Sequence, residues 1–88
     1  MEKIEEKLFK VLVEKFGLKS SICNSENINK PLTGKNFNLS AVELAYFLLE
    51  IEKEYSIQFA VEETENYGVS TIKKIAYLIY TKQKKDIF

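Results

Sequence analysis

The fold is decided by Ser40-Ala41-Val42-Glu43-Leu44-Ala45-Tyr46-Phe47-Leu48-Leu49-Glu50-Ile51-Glu52-Lys53-Glu54-Tyr55. Its first four residues form a capping box. The Ser40 hydroxyl can accept from the Glu43 backbone amide, and the Glu43 carboxylate can reach back to the Ser40 amide, so a helix begins here. Val42, Ala45, Leu48, Leu49, Glu52 and Tyr55 recur at helical spacing and carry it to about Tyr55. Ile57 and Phe59 extend the apolar anchoring beyond its end.

Working outward, residues 19–38 form a long connection rich in Ser, Asn and Lys, with the only Pro, Pro31, and a Gly, Gly34. Ile22, Ile28, Leu32 and Phe37 punctuate it, so the loop is expected to be pinned to the core at intervals. Upstream, Ile4, Leu8, Val11, Leu12 and Phe16 mark one face of an amphipathic helix over Glu2 to Phe16. Gly17 ends it, and Leu18 can fold back on the last turn. Downstream, residues 60–67 are acidic and suit a short helix around Val61 to Tyr67, broken by Gly68. A last helix starts after Ser70 or Thr71, carries Ile72, Ile75, Ala76, Leu78 and Ile79, and ends in a basic tail of Lys82, Lys84 and Lys85 that suits a helix C-terminus. No segment alternates long enough for a strand. The expected fold is all-α: one domain over residues 1–88, with three main helices and one short one. Tyr46, Phe47 and the tyrosines of Tyr77 to Tyr80 are expected in the core, as aromatics at helical spacing in a small domain.

Composition narrows the function. The 88 residues contain no His and no Trp, and all 13 cationic side chains are Lys, set against 13 Asp plus Glu. Without His the usual general base and the nucleophile pairs built on it are missing, so the chain is not expected to be an enzyme. Most zinc sites need His as well, and no metal is expected. Without Arg it lacks the bidentate forks that read guanine and phosphate, and a zero net charge gives no general pull toward nucleic acid. The longest apolar runs, Ala45 to Leu49 and Ile75 to Tyr80, are far too short for a membrane span. The single Cys23 cannot close an internal disulfide, and the start of the chain lacks the pattern of a signal peptide. A cytoplasmic monomer with a half-buried, unreactive Cys23 is the reading that follows.

The zero total conceals a division. From Glu43 to Glu65 there are seven Glu and one Lys, a net charge of minus six. Residues 1–42 carry plus two, and residues 66–88 carry plus four.

The order of parts resembles an acyl carrier protein over roughly residues 2–80: a helix ending in Gly-Leu, a pinned loop, a helix with Val-Glu-Leu near its start and Glu-x-Glu-Tyr at its end, an acidic short helix, then Ser-Thr-Ile. The resemblance implies an acyl-carrier-like four-helix bundle. In that family an Asp-Ser-Leu or Asp-Ser-Ile triplet opens the second helix, and its Ser carries a 4'-phosphopantetheine arm. Here the matching stretch is Phe37-Asn38-Leu39-Ser40-Ala41-Val42-Glu43. Anchoring the match without gaps on Ile51-Glu52-Lys53-Glu54-Tyr55-Ser56-Ile57 puts Ser40 at the Asp position and Ala41 at the modified Ser. A gapped match on Val42-Glu43-Leu44 puts Asn38 there instead. Neither Ala41 nor Asn38 has a hydroxyl. Ser40 is the one candidate attachment residue, and its alternative role is the capping hydroxyl. Moving the attachment point by one residue turns it about 100° around the helix axis.

A narrower likeness joins Pro31-Leu32-Thr33-Gly34 and Phe37-Asn38-Leu39-Ser40 to the acyl-carrier-related proteins of bacterial peptide-maturation, bacteriocin-type cassettes. The resemblance implies docking to pathway enzymes through basic patches, with Glu43, Glu50, Glu52 and Glu54 as the recognition residues. Two alternatives stand beside this carrier-like docking protein. One is a working carrier modified on Ser40; the other is a small helical immunity or binding protein.

Overall fold

A computed structural model describes residues 2–65 and 68–85, without the side chains of the last two residues of that span. Four α-helices follow in order: α1 (Glu2–Phe16), α2 (Ala41–Tyr55), α3 (Val61–Thr64) and α4 (Ile72–Lys85). No strand occurs among the described residues, so the fold is an all-helical bundle of three main helices and one short one.

The ends of the helices follow from local chemistry. Gly17 takes φ +69°, and the chain turns back so that the Leu18 amide donates to the Leu12 carbonyl at 3.2 Å. Helix α2 starts on the capping box: Glu43 N–H donates to Ser40 Oγ at 3.0 Å, and Ser40 N–H donates to Glu43 Oε1 at 2.9 Å. It ends at Ser56, which sits in the left-handed region at φ 53° while the Ile57 amide closes onto the Glu52 carbonyl at 3.2 Å. A serine there bears the steric penalty that glycine avoids. Helix α3 covers only Val61–Thr64, shorter than expected; Asn66 and Tyr67, to which the expectation extended, lie outside the described residues. Gly68 follows at a place where a Cβ would collide with the Glu63 carbonyl, so the turn admits no side chain. Thr71 caps α4, its hydroxyl accepting from the Lys74 amide at 3.1 Å.

Helix α1 packs against both α4 and α2. Leu8 and Leu12 of α1, Phe47 and Ile51 of α2, and Ile72, Ile75, Ala76 and Ile79 of α4 are fully buried together. Phe16 meets Phe47 edge-on, with centroids 5.8 Å apart at 86°. Each such side chain contributes about 1.5–3 kcal/mol by leaving water.

The long connection is pinned as expected, and more firmly. Leu32, Phe37 and Leu39 are buried, Ile22 and Ile28 half-buried, and Phe9 stacks on Phe37 at 6.3 Å. Backbone bonds tie the loop to α4 and to the segment leading into it: Leu32 N–H to the Ser70 carbonyl at 2.8 Å, and Lys73 N–H to the Ile28 carbonyl at 3.0 Å.

Only part of the helical spacing read along α2 is buried. Leu44, Phe47, Leu48, Ile51 and Tyr55 face inward, whereas Val42, Ala45 and Leu49 are exposed. An apolar helix of this kind offers two stripes, and the contact of Phe47 with Phe16 on α1 selects which one is covered. Tyr46, Tyr77 and Tyr80 are likewise outside the core, at 59%, 58% and 43% exposure, while Phe47 is inside it.

Candidate docking surface

The site residues read from the sequence lie along α2, and each has an intramolecular partner. Ser40 and Glu43 close the capping box. Glu50 holds Lys15 of α1 at 2.7 Å and lies 3.9 Å from Lys53. Glu52 Oε2 accepts from the Phe59 amide at 2.8 Å, which fastens the chain leaving α2. Glu54 lies 3.4 Å from Lys7 of α1. Four carboxylates that look like a row of recognition charges in the sequence therefore help hold α2 to its cap, to α1 and to its own exit.

The electrostatics agree with this geometry. The hydrogen bond from Lys15, the ammonium charge itself and Lys53 lower the Glu50 carboxyl below its ordinary value, against a smaller opposing effect of burial. Glu50 in turn raises Lys15, first through the same hydrogen bond and then through its charge. Burial raises the Tyr55 phenol, and Glu54 adds to the shift, so the hydroxyl stays neutral. Burial also raises the Cys23 thiol, which keeps it protonated and a poor nucleophile.

Three apolar side chains on the same helix are left without a partner of their own size. Val42, Tyr46 and Leu49 are 63%, 59% and 52% exposed. At 100° per residue they fall within about 60° of one another, with Ala45 alongside. The stripe begins directly after the Ser40 cap. Toward its C-terminal end it borders a groove lined by Phe16, Tyr46, Leu49 and Ile57, with Lys15 and Lys53 set against Glu50 and Glu52 at the rim. Of these three, Tyr46 was expected in the core. The stripe that α1 covers runs through Leu44, Phe47 and Ile51, and nothing within α2 itself marks that choice.

The start of α2 offers few oxygens to which a phosphopantetheine arm could be joined. Ala41 has no oxygen, and Asn38, in the left-handed region at φ 54°, offers only an amide. The Ser40 hydroxyl is exposed, but its oxygen accepts the Glu43 amide and the Glu43 carboxylate sits on the Ser40 amide. Among the described residues no group of three or more His, Cys, Asp or Glu is placed to hold a metal ion, and no helix is long and apolar enough to cross a membrane.

Set against known protein families, curated proteins and solved structures, the chain matches none of them.

Proposed function

We propose that this chain is a carrier-like docking protein without a cargo arm, which serves a biosynthetic or peptide-maturation pathway by presenting α2 to a pathway enzyme. The single observation that carries the reading is the exposed stripe Val42, Tyr46 and Leu49, seated directly behind a capped helix start that has no attachment oxygen at Ala41. Apolar contact along the stripe supplies the affinity. Residual negative potential from Glu43, Glu50, Glu52 and Glu54 meets basic residues of the enzyme and aids encounter. The chain itself performs no chemistry in this role.

Intact-mass analysis after incubation with coenzyme A and a promiscuous phosphopantetheinyl transferase tests the missing arm. The expected result is an unchanged mass. A stoichiometric addition that Ser40→Ala abolishes establishes a working carrier instead. For docking, binding to the enzymes encoded beside this chain is measured by calorimetry. Leu49→Asp is expected to eliminate binding while the helical circular dichroism spectrum is retained.

A second reading, a helical immunity or binding protein that sequesters its partner, is favoured by one observation: all four α2 carboxylates already have internal bonds. It requires the apolar stripe and is indifferent to the acidic rim. Neutralising that rim with Glu43→Gln and Glu54→Gln separates the two. Glutamine retains the capping bond, and a slower association rate marks electrostatic docking, whereas an unchanged rate marks the binding protein.

A further inference from the structure

The surface with the opposite charge lies elsewhere. Helix α4 carries Lys73, Lys74, Lys82, Lys84 and Lys85 and not one acidic residue over Ile72–Lys85. Lys82 is committed to Glu63 of α3 at 2.6 Å. Lys73 and Lys74, a turn and more away at the other end of the helix, are exposed, and Lys73 has no ion pair among the described residues. Both border an open groove of about 740 Å³ between the pinned loop and α4. Pro31, Tyr77 and Leu78 give the groove apolar walls, Asn29 gives it a hydrogen-bonding group, Ser70 Oγ accepts from Lys74 Nζ at 3.4 Å, and its described lining contains no carboxylate. Tyr77 is 58% exposed there.

The positive potential of this groove comes from side chains. The first amides of α4 are already used: Lys73 N–H donates to the Ile28 carbonyl, Lys74 N–H to Thr71 Oγ1, and Ile75 N–H to the Thr71 carbonyl at 3.1 Å. The Lys73 ammonium, with the charge of Lys74 nearby, beside an aromatic ring and a proline, selects a ligand with both anionic and apolar parts. We infer that the groove formed by Asn29, Pro31, Ser70, Lys73, Lys74 and Tyr77 is a second docking site, which takes an acidic peptide segment with an apolar anchor residue. The anchor lies between Pro31 and Tyr77, and a flanking carboxylate meets Lys73, with the charge of Lys74 adding to the positive potential.

Two other polyanions fit less well. An anionic bilayer gains only a small attraction from each lysine at its surface, so two lysines hold it weakly. Single-stranded nucleic acid can stack on Tyr77, but two lysines neutralise too few phosphates for appreciable affinity at physiological salt, and there is no Arg. A protein segment needs only two or three carboxylates and one side chain, which is what the groove offers.

The site shares no residue with the α2 stripe, so it stands or falls separately. The probe is a synthetic ten-residue peptide of Asp and Glu around a central Leu-Phe pair, titrated into the isotopically labelled chain at low salt. The expected result is a set of amide shifts confined to Asn29, Ser70, Lys73, Lys74, Tyr77 and their neighbours, weakening as salt is added. Lys73→Glu with Lys74→Glu is expected to reduce affinity at least about tenfold, and Leu49→Asp is expected to leave it unchanged. Both lysines are exposed, and the circular dichroism of the double variant checks that it folds; Tyr77→Ser, expected to weaken the same peptide, provides a readout independent of charge. Shifts that fall elsewhere, or none at millimolar peptide, overturn the assignment. So does tighter binding of an oligothymidine or of vesicles containing phosphatidylserine than of the peptide.

Discussion

Helices α2 and α4 both bury a stripe against α1 and both leave tyrosines in water, yet their charges are used in opposite ways. On α2 the carboxylates of Glu43, Glu50, Glu52 and Glu54 are bound to a cap, to two lysines of α1 and to the Phe59 amide, and the groups left over are Val42, Tyr46 and Leu49. On α4 the core stripe Ile72, Ile75, Ala76 and Ile79 is covered, and Lys73 is a charge left over. The difference teaches that net charge along a segment does not measure the charge available to a partner. The most acidic stretch of the chain presents an apolar face, and the modestly basic one presents a cation beside an aromatic ring.

The adjacent pair Tyr46 and Phe47 breaks this contrast most directly. Phe47 has 0% exposure and an edge-on contact with Phe16, so Phe47→Ala is expected to cost about 3–5 kcal/mol. That is a large share of the roughly 4–13 kcal/mol available to a chain of 88 residues. Tyr46→Ala, one position away, is expected to change stability by no more than about 0.5 kcal/mol. Urea denaturation of both variants measures it. Equal losses would mean that α2 is rotated from the orientation described and that the outward stripe does not exist.

Much of the fold was legible because it is written locally. The capping box of Ser40 and Glu43, the stop at Gly17 and the three-and-four spacing of Ile4, Leu8, Val11, Leu12 and Phe16 each depend on residues within one or two turns, and each helix start and stop they imply is present. The pinned loop was legible for the same reason, since an isolated Leu32 or Phe37 in a polar stretch has little use except to be buried. What could not be read is which of two apolar stripes on α2 is covered. That is decided by Phe16 and the rest of α1, more than thirty residues away along the sequence. The site suffered from the same limit. Glu50 and Glu54 look like free surface charges until Lys15 and Lys7 are brought against them from α1.

The two ends of α2 give a smaller and sharper test. Ser40 and Ser56 are the same residue in contrasting circumstances: one accepts a hydrogen bond from Glu43 N–H, and the other is held at φ 53° where its Cβ is crowded. Ser40→Ala is expected to destabilise by about 1 kcal/mol, which lowers the melting temperature by roughly 4–8 °C in a domain of this size. Ser56→Gly is expected to stabilise by about 0.5–1 kcal/mol, because glycine enters the left-handed region without the steric penalty and gives back part of the gain as chain entropy. Thermal unfolding followed by circular dichroism checks the opposite signs. A Ser56→Gly variant that melts earlier removes the left-handed cap from the account of how α2 ends.

The smallest effect is carried by the pair that ties α2 to α1. Glu50 has a folded-state pKa below its ordinary value near 4.5, so the folded chain releases that proton more readily than the unfolded one; its contribution is present above that value and is lost as pH falls through the depressed folded value. Lys15 is raised above 10.5, so its side of the same interaction is present below that value and is lost as pH rises through the raised one. The two shifts describe one bond between groups open to solvent, and salt weakens it further. Glu50→Gln is therefore expected to lower the urea midpoint slightly at pH 7, and the difference from the parent chain is expected to close at both acid and strongly alkaline pH. The matching substitution on α4, Lys73→Gln, removes a charge with no ion pair and is expected to leave the neutral-pH midpoint in place. If the two variants behave alike at neutral pH, Glu50 is as available to a partner as Lys73 is, and the acidic rim of α2 contributes more to recognition than the residual potential that its internal bonds leave it.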